Sequence, residues 1–149
     1  MRASILLMWL MIPLNVVLIA WVWFGRLVFG VGGWFLLILM PVAGVLAIAF
    51  LVTTILSFTR KPRQLSRTQT ALQISTWTAM FGCGLFMPDF GDTENSSASS
   101  LTQVFGYSDR LLNTSFVLAL GFGLAMVVLW LVLLVALIAD RRDPAPVTA

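Results

Sequence analysis

Residues 115–139 read SFVLALGFGLAMVVLWLVLLVALIA and contain no charged residue. The hydrocarbon core of a bilayer, ~30 Å thick, requires about 20 apolar residues in a helix to cross it. Backbone groups in lipid must be paired within their own segment, so this run predicts a transmembrane helix. Asp140, Arg141 and Arg142 follow the run directly and mark its end.

Three further apolar runs precede this one, so that four spans are expected at about residues 5–25, 34–58, 70–88 and 114–139. Of the 149 residues, 60% are hydrophobic and 10% are charged, and the mean hydropathy is +0.99. A soluble domain carries roughly 25% charged residues, which this chain cannot supply. We therefore predict an all-α integral membrane protein, a single four-helix domain over residues 1–149.

The charged residues predict the orientation of these spans. The connection between spans two and three and the two ends of the chain carry basic residues: Arg2, Arg60, Lys61, Arg63, Arg67, Arg141 and Arg142. The connection between spans three and four, residues 89–113, is mainly acidic, and Arg26 lies on the same side. The positive-inside rule then predicts that both termini, including the tail 140–149, are cytoplasmic. Eight arginines against one lysine suggest a GC-rich bacterial genome, and hence the bacterial cytoplasmic membrane.

The composition excludes several kinds of chemistry. There is no histidine, which excludes histidine-ligated haem, copper or zinc, and one cysteine, Cys83, which excludes an internal disulfide or a dithiol pair. No charged residue falls inside the apolar cores, so a proton or ion path within this chain is not expected. The basic residues flank spans and do not indicate nucleic acid binding. We expect no catalytic residue, metal site or cofactor and no soluble substrate, although a lipid is a candidate ligand.

The outer loop 89–113 is the largest aqueous feature of the predicted topology. Its acids match no EF-hand spacing, so we expect solvated carboxylates and no cation site. Ser100 to Gln103 matches a capping box and predicts a short interfacial helix, which Gly106 ends. We nominate six residues of this loop for contact with a partner: Asp89, Asp92, Glu94, Leu101, Val104 and Phe105.

Small residues recur at helical spacing in spans three and four, and such stripes let helices approach closely in lipid. They predict that the two spans pack together through Ala71, Ser75, Thr78, Gly82, Ala119, Gly121, Gly123 and Ala125. Two polar residues inside the spans, Asn15 and Gln73, are candidates for intramembrane contacts. For each of them we expect a hydrogen bond between helices.

Two readings of function remain. The first is a non-catalytic accessory subunit of a larger bacterial membrane complex, respiratory or transport, whose partners are other integral membrane subunits and lipids. The alternative is a small homo-oligomeric channel or transporter, with Gln73 and Thr76 of span three along its path. A lipid-modifying enzyme is a weaker third alternative. The acidic catalytic groups that it would need are limited to Asp89, Asp92 and Asp109, which all lie outside the spans.

Overall fold

The computed structural model describes residues 2–59, 64–90 and 97–142. In this part of the chain the regular elements are helical, and a single β-bridge pairs Asp89 with Ala98. The helices are α1 (Arg2–Phe24), α2 (Phe35–Thr59), α3 (Arg67–Phe86), α4 (Ser100–Phe105) and α5 (Asp109–Arg142), and a short 3-10 segment (Gly25–Phe29) extends α1.

Three stretches within these helices are long and apolar enough to cross a membrane: Ile5–Phe29, Phe35–Thr59 and Asp109–Asp140. This indicates a membrane protein. The expected third span, now α3, does not reach the same apolarity, because glutamine, serine and threonine are spread along it. The structure therefore supports three apolar spans where the sequence predicted four.

The four long helices form a square bundle in which successive helices run in opposite directions. α1 lies beside α2 and α3, and α3 packs most extensively on α5. The Nε1 of Trp21 donates to the carbonyl of Phe81 at 3.0 Å, which joins the ends of α1 and α3. α2 contacts α5 only sparsely, so this side of the square is the most open. The loop end of the bundle holds the 3-10 segment and α4, and the terminal end holds the start of α1 and the end of α5.

The interior is built from positions that alternate three and four residues apart, which is the spacing of a coiled-coil seam. On α3 the buried positions of this series are Gln69, Gln73, Thr76, Met80 and Cys83. On α5 they include Ser115, Ala119, Met126, Leu133 and Leu137. Large aliphatic side chains on the opposite faces of α1, α2 and α5 remain exposed, as expected for surfaces that face lipid.

This packing corrects the expected role of the small-residue stripes. Gly82 and Ala119 are buried and Gly123 is half-buried, and a Cβ at Gly82 would lie 2.7 Å from the ring of Phe122. The other five residues, Ala71, Ser75, Thr78, Gly121 and Ala125, are exposed. The seam between α3 and α5 therefore includes Gly82 and Ala119 of these stripes but otherwise follows the larger residues next to them, because larger side chains fill the space between two helices more completely.

Helix ends lie close to the expected positions, with local differences. α3 begins after Ser66, whose side chain and that of Gln69 form a reciprocal capping box. α5 begins at Asp109, about a turn before the expected span. α4 is capped by Ser99 with Thr102, one residue earlier than the expected Ser100–Gln103 box, and Gly106 ends it with a φ of 91°.

Candidate functional site

The most polar buried cluster is at the loop end and centres on an ion pair between Arg26 and Asp89. The Nε of Arg26 lies 2.8 Å from Oδ2 of Asp89, and their side chains are 1% and 3% exposed. The 3-10 segment carries Arg26 inward, and Gly30 closes that segment in the left-handed conformation, with a φ of 71°. Asp89 follows Pro88, just beyond the end of α3.

Three backbone N–H groups complete the surroundings of the Asp89 carboxylate. Gly33 donates to Oδ2 at 2.9 Å, and Phe35 and Phe90 each donate to Oδ1 at 2.9 Å. Both carboxylate oxygens are therefore occupied, and the group is not available as a general base or a metal ligand. The cluster is a clamp that joins the end of α1, the start of α2 and the end of α3.

Gly33 is needed in this clamp because the backbone of Phe90 passes directly against it. A Cβ at Gly33 would overlap the carbonyl oxygen of Phe90 and lie 2.9 Å from Oδ1 of Asp89. The N–H of Trp34 donates to the same Phe90 carbonyl at 3.1 Å. The glycine-rich turn before α2 is thus shaped to receive the residues that follow α3.

The guanidinium of Arg26 is only partly satisfied. Its Cζ lies 6.0 Å from the centre of the Phe35 ring, at the outer limit of a cation–π contact. Neither Nη atom has a hydrogen-bond acceptor within the described ranges 2–59, 64–90 and 97–142. Most of the stabilisation of this charge therefore comes from the single carboxylate of Asp89.

Asp89 is not the solvated carboxylate that the sequence predicted for this loop. Asp89 is 2% exposed and has an internal cation, because it is the first acid after α3 and α1 brings Arg26 to the same depth. Asp92 and Glu94 lie outside the described residues. Within the described part, no group of three or more histidine, cysteine or acidic residues is placed to hold a metal ion.

A layer of buried hydroxyl groups attaches α4 to the bundle. The Oγ of Ser115 on α5 donates to Oγ of Ser99 at 2.8 Å, and both residues are fully buried. Ser100 donates to the carbonyl of Leu85 near the end of α3. Serine is common in loops, so this sequence offered no strong signal for the layer, apart from the capping pattern around it.

The outer surface of α4 is apolar. Val104 and Phe105 are 61% and 72% exposed, and Leu101 is half-buried. Of the six loop residues nominated for partner contact, these two are the most accessible in the described structure. Together with exposed Tyr107 they form a small apolar surface at the loop end.

Asn15 lies at the centre of the bundle and connects three helices. Trp77 on α3 donates its Nε1–H to Oδ1 of Asn15 at 2.7 Å, and Asn15 donates to Oγ1 of Thr54 on α2 at 3.2 Å. The expected hydrogen bond between helices is therefore present. No pattern in the sequence pointed to Trp77 and Thr54 as its partners.

Gln73 behaves differently from the expectation. Its side chain is fully buried on α3, yet neither its amide nitrogen nor its amide oxygen has a hydrogen-bond partner in the described structure. Neighbouring Thr76 is also fully buried, and its hydroxyl donates to the carbonyl of Leu72 within the same helix. Both residues lie inside the packed seam, and neither is among the residues lining the described cavities.

No protein-family model matches this sequence, and no curated protein or solved structure matches it significantly. The function is therefore inferred from the geometry of the chain itself.

Proposed function

We propose that this protein is a non-catalytic accessory subunit of a larger membrane complex, respiratory or transport, in a bacterial cytoplasmic membrane. In this proposal α3 is a fourth span, both termini are cytoplasmic, and the partners are other integral membrane subunits. The single observation that carries the proposal is a stripe of small and polar residues on the outward face of α3, which runs beside the larger exposed residues Ile74 and Phe81.

That face differs from the lipid-facing surfaces of the other helices. Ala71, Ser75 and Thr78 are exposed and lie one above another at spacings of four and three residues. Most exposed positions on the apolar part of α5 are instead filled by large residues such as Val128 and Leu124, although Gly121 and Ala125 are also exposed. In lipid, packing drives the association of helices, and small side chains let two backbones approach closely. A helix of a neighbouring subunit therefore fits this face better than lipid chains do.

Two features support treating α3 as a span. Its 20 residues correspond to about 30 Å of helix, which matches the hydrocarbon thickness. It also lies between α1 and α5, both of which are apolar enough to cross a membrane. A polar helix is tolerated in that position when its own neighbours and a partner subunit cover it.

The loop end supplies a second candidate contact. The exposed Val104 and Phe105 of α4 lie beside a loop whose acids include Asp92 and Glu94. Such a surface suits a partner with apolar and basic groups at the membrane interface. A deletion that tests this loop must end before Ser99, because Ser99 caps α4 and contacts Ser115.

Purification in a mild detergent through a tag on the C-terminal tail, followed by intact mass analysis, tests the proposal. We expect a stoichiometric set of larger membrane proteins to accompany the chain. A chain that purifies alone as a defined homo-oligomer would contradict the proposal. Flux measurements with wild type and Gln73→Leu would then examine the channel alternative.

Substitutions on α3 test the face itself. The double variant Ser75→Leu and Thr78→Leu should reduce recovery of the partners, because two large side chains prevent close approach of a helix. The matched control is Val117→Leu with Val128→Leu on α5, two exposed positions where leucine is compatible with lipid. Equal recovery of partners with both double variants would show that α3 is not the contact helix.

A further inference from the structure

A groove with distinct polar and apolar parts runs along α5 from the loop end of the bundle, and the start of α2 and the end of α3 line its other side. At the loop end a cavity of about 270 Å³ is lined by Asp109, Asn113 and Phe116 of α5, among others. A second cavity of about 300 Å³ continues along α5 to Val127. Phe35 and Phe116 line both cavities, so the two adjoin. We refer to them together as the α2–α5 groove.

Beyond the inner end of the groove, α5 and α2 are in direct contact. Trp130 on α5 donates its Nε1–H to the carbonyl of Ala49 on α2 at 3.3 Å, about one turn beyond Val127. From Phe116 to Val127 the helix advances eleven residues, which is about 16 Å at 1.5 Å per residue. This is close to half of the ~30 Å hydrocarbon core, so the apolar part of the groove matches the depth of one leaflet.

The polar mouth of the groove carries an available negative charge. Asp109 is exposed, and its Oδ1 accepts a hydrogen bond from the hydroxyl of Tyr107 at 3.1 Å, which raises the pKa of Tyr107 above its ordinary value. Asp89 also lines the mouth, but its oxygens are occupied by Arg26 and three backbone N–H groups. Arg110 is not among the lining residues in the described structure. Besides Ser97, the polar side chains that remain at the mouth are therefore the carboxylate of Asp109 and the amide of Asn113.

We propose that the α2–α5 groove binds one phospholipid with an ethanolamine headgroup. One acyl chain lies along α5 between Phe116 and Val127. The ammonium group lies at Asp109, and Asn113 donates to the phosphate. Charge complementarity selects this headgroup, because a cation is favoured at the mouth, and an ammonium donates hydrogen bonds that a quaternary choline cannot. The proposal is independent of the accessory-subunit role, since it concerns the isolated chain.

Native mass spectrometry of the purified full chain tests this proposal. The protein is delipidated and then incubated with phosphatidylethanolamine, phosphatidylcholine or phosphatidylglycerol of the same acyl composition. We expect a one-to-one adduct that is retained best with phosphatidylethanolamine. Equal retention of the three lipids, or a preference for phosphatidylglycerol or phosphatidylcholine, would overturn the proposal.

A filled groove should abolish the adduct. Gly123→Leu places a side chain within the apolar part, where a Cβ meets only Cys83 Sγ at 3.7 Å, so the helix itself is not strained. The matched control is Gly121→Leu on the exposed surface of the same helix, with nothing within 4 Å of its Cβ. If Gly123→Leu does not fold, Leu120→Trp fills the groove from its exposed wall, with Val117→Trp as its control. An adduct that survives in the folded groove variants would refute the site.

The headgroup preference is tested at Asp109. Asp109→Asn should lower the preference for phosphatidylethanolamine over phosphatidylcholine by about two- to fivefold, the range of an exposed ion pair. Binding of phosphatidylcholine should fall less in this variant, because choline shares the positive charge but has no N–H donor for the carboxylate. An unchanged preference would contradict the assignment of Asp109 as the ammonium contact.

Discussion

Arg26 and Asp89 are 63 positions apart in the chain, yet together they organise the loop end of the bundle. Asp89 is the one ionic partner of Arg26 among the residues that the structure describes, and it also orders the backbone at the start of α2. A buried ion pair is not by itself strong support for stability, since desolvation opposes the Coulombic attraction. Removing one partner is nevertheless destabilising, because the remaining charge is then buried without a counter-ion.

Asp89→Asn should therefore reduce the free energy of unfolding by about 3–5 kcal/mol, the usual effect of breaking one side of a buried pair. Thermal or denaturant unfolding in detergent, followed by circular dichroism, measures this change. Asp109→Asn is the matched control, because Asp109 is exposed and should change stability by less than ~0.5 kcal/mol. The double variant Arg26→Met with Asp89→Asn should recover part of the loss, and no recovery would argue against the pair as the cause.

Gln73 is the opposite case, a buried side chain without a partner in the described structure. Gln73→Met keeps a similar length and removes both polar atoms, so we expect the free energy of unfolding to increase by about 1–3 kcal/mol. The control is Thr76→Val, since Thr76 already satisfies its hydroxyl within α3. A destabilised Gln73→Met protein would mean that the amide has a partner in the membrane or in the complex.

The contact between α3 and α5 shows how a whole element depends on one small residue. The spacing of the seam brings Gly82 against the flat ring of Phe122, where even a methyl group has no room. Gly82→Ala should destabilise the bundle by about 1–3 kcal/mol, the usual effect of overpacking. Gly121→Ala, with open space around its Cβ, should be neutral or slightly stabilising. Equal unfolding temperatures for the two variants would contradict the described seam.

Asn15 also connects whole helices, because its side chain forms hydrogen bonds to both α2 and α3. Asn15→Leu removes bonds to both α3 and α2, and at about 0.6 kcal/mol each we expect a loss of about 1 kcal/mol. Thr54→Val removes only the bond to α2, so its effect should be about half as large. Unfolding in detergent compares the two variants, and a larger effect of Thr54→Val would contradict the arrangement.

Topology is a property of the whole molecule and follows from the proposal that four helices cross the membrane. In a Cys83→Ala background, Tyr107→Cys should react with a membrane-impermeant maleimide applied to intact cells, because Tyr107 is exposed at the loop end. Thr68→Cys, which is exposed at the other end of α3, should react only after the membrane is opened. Reaction of both residues in intact cells would contradict α3 as a span.

The helices and most of their ends could be predicted from the amino-acid sequence, because they depend on local properties. Uninterrupted apolar runs such as 115–139 force backbone pairing within the segment. The side chain of Ser66 caps the start of α3, and the backbone of Gly106 ends α4. The sequence also singled out Asn15 as a residue that bonds between helices, since a lone amide in an apolar helix requires a partner.

Which helix faces pack and which charged residues pair could be seen only in the tertiary structure. The stripe of Ala71, Ser75 and Thr78 and the adjacent seam on α3 have the same periodicity, so spacing cannot tell a packed face from an exposed one. Likewise, the sequence places Arg26 on the same side as the acidic loop, but its pairing with Asp89 depends on the relative depth of α1 and α3. The relative positions of the helices decide which face of α3 is packed and which acid meets Arg26. These positions are set only when the four helices assemble.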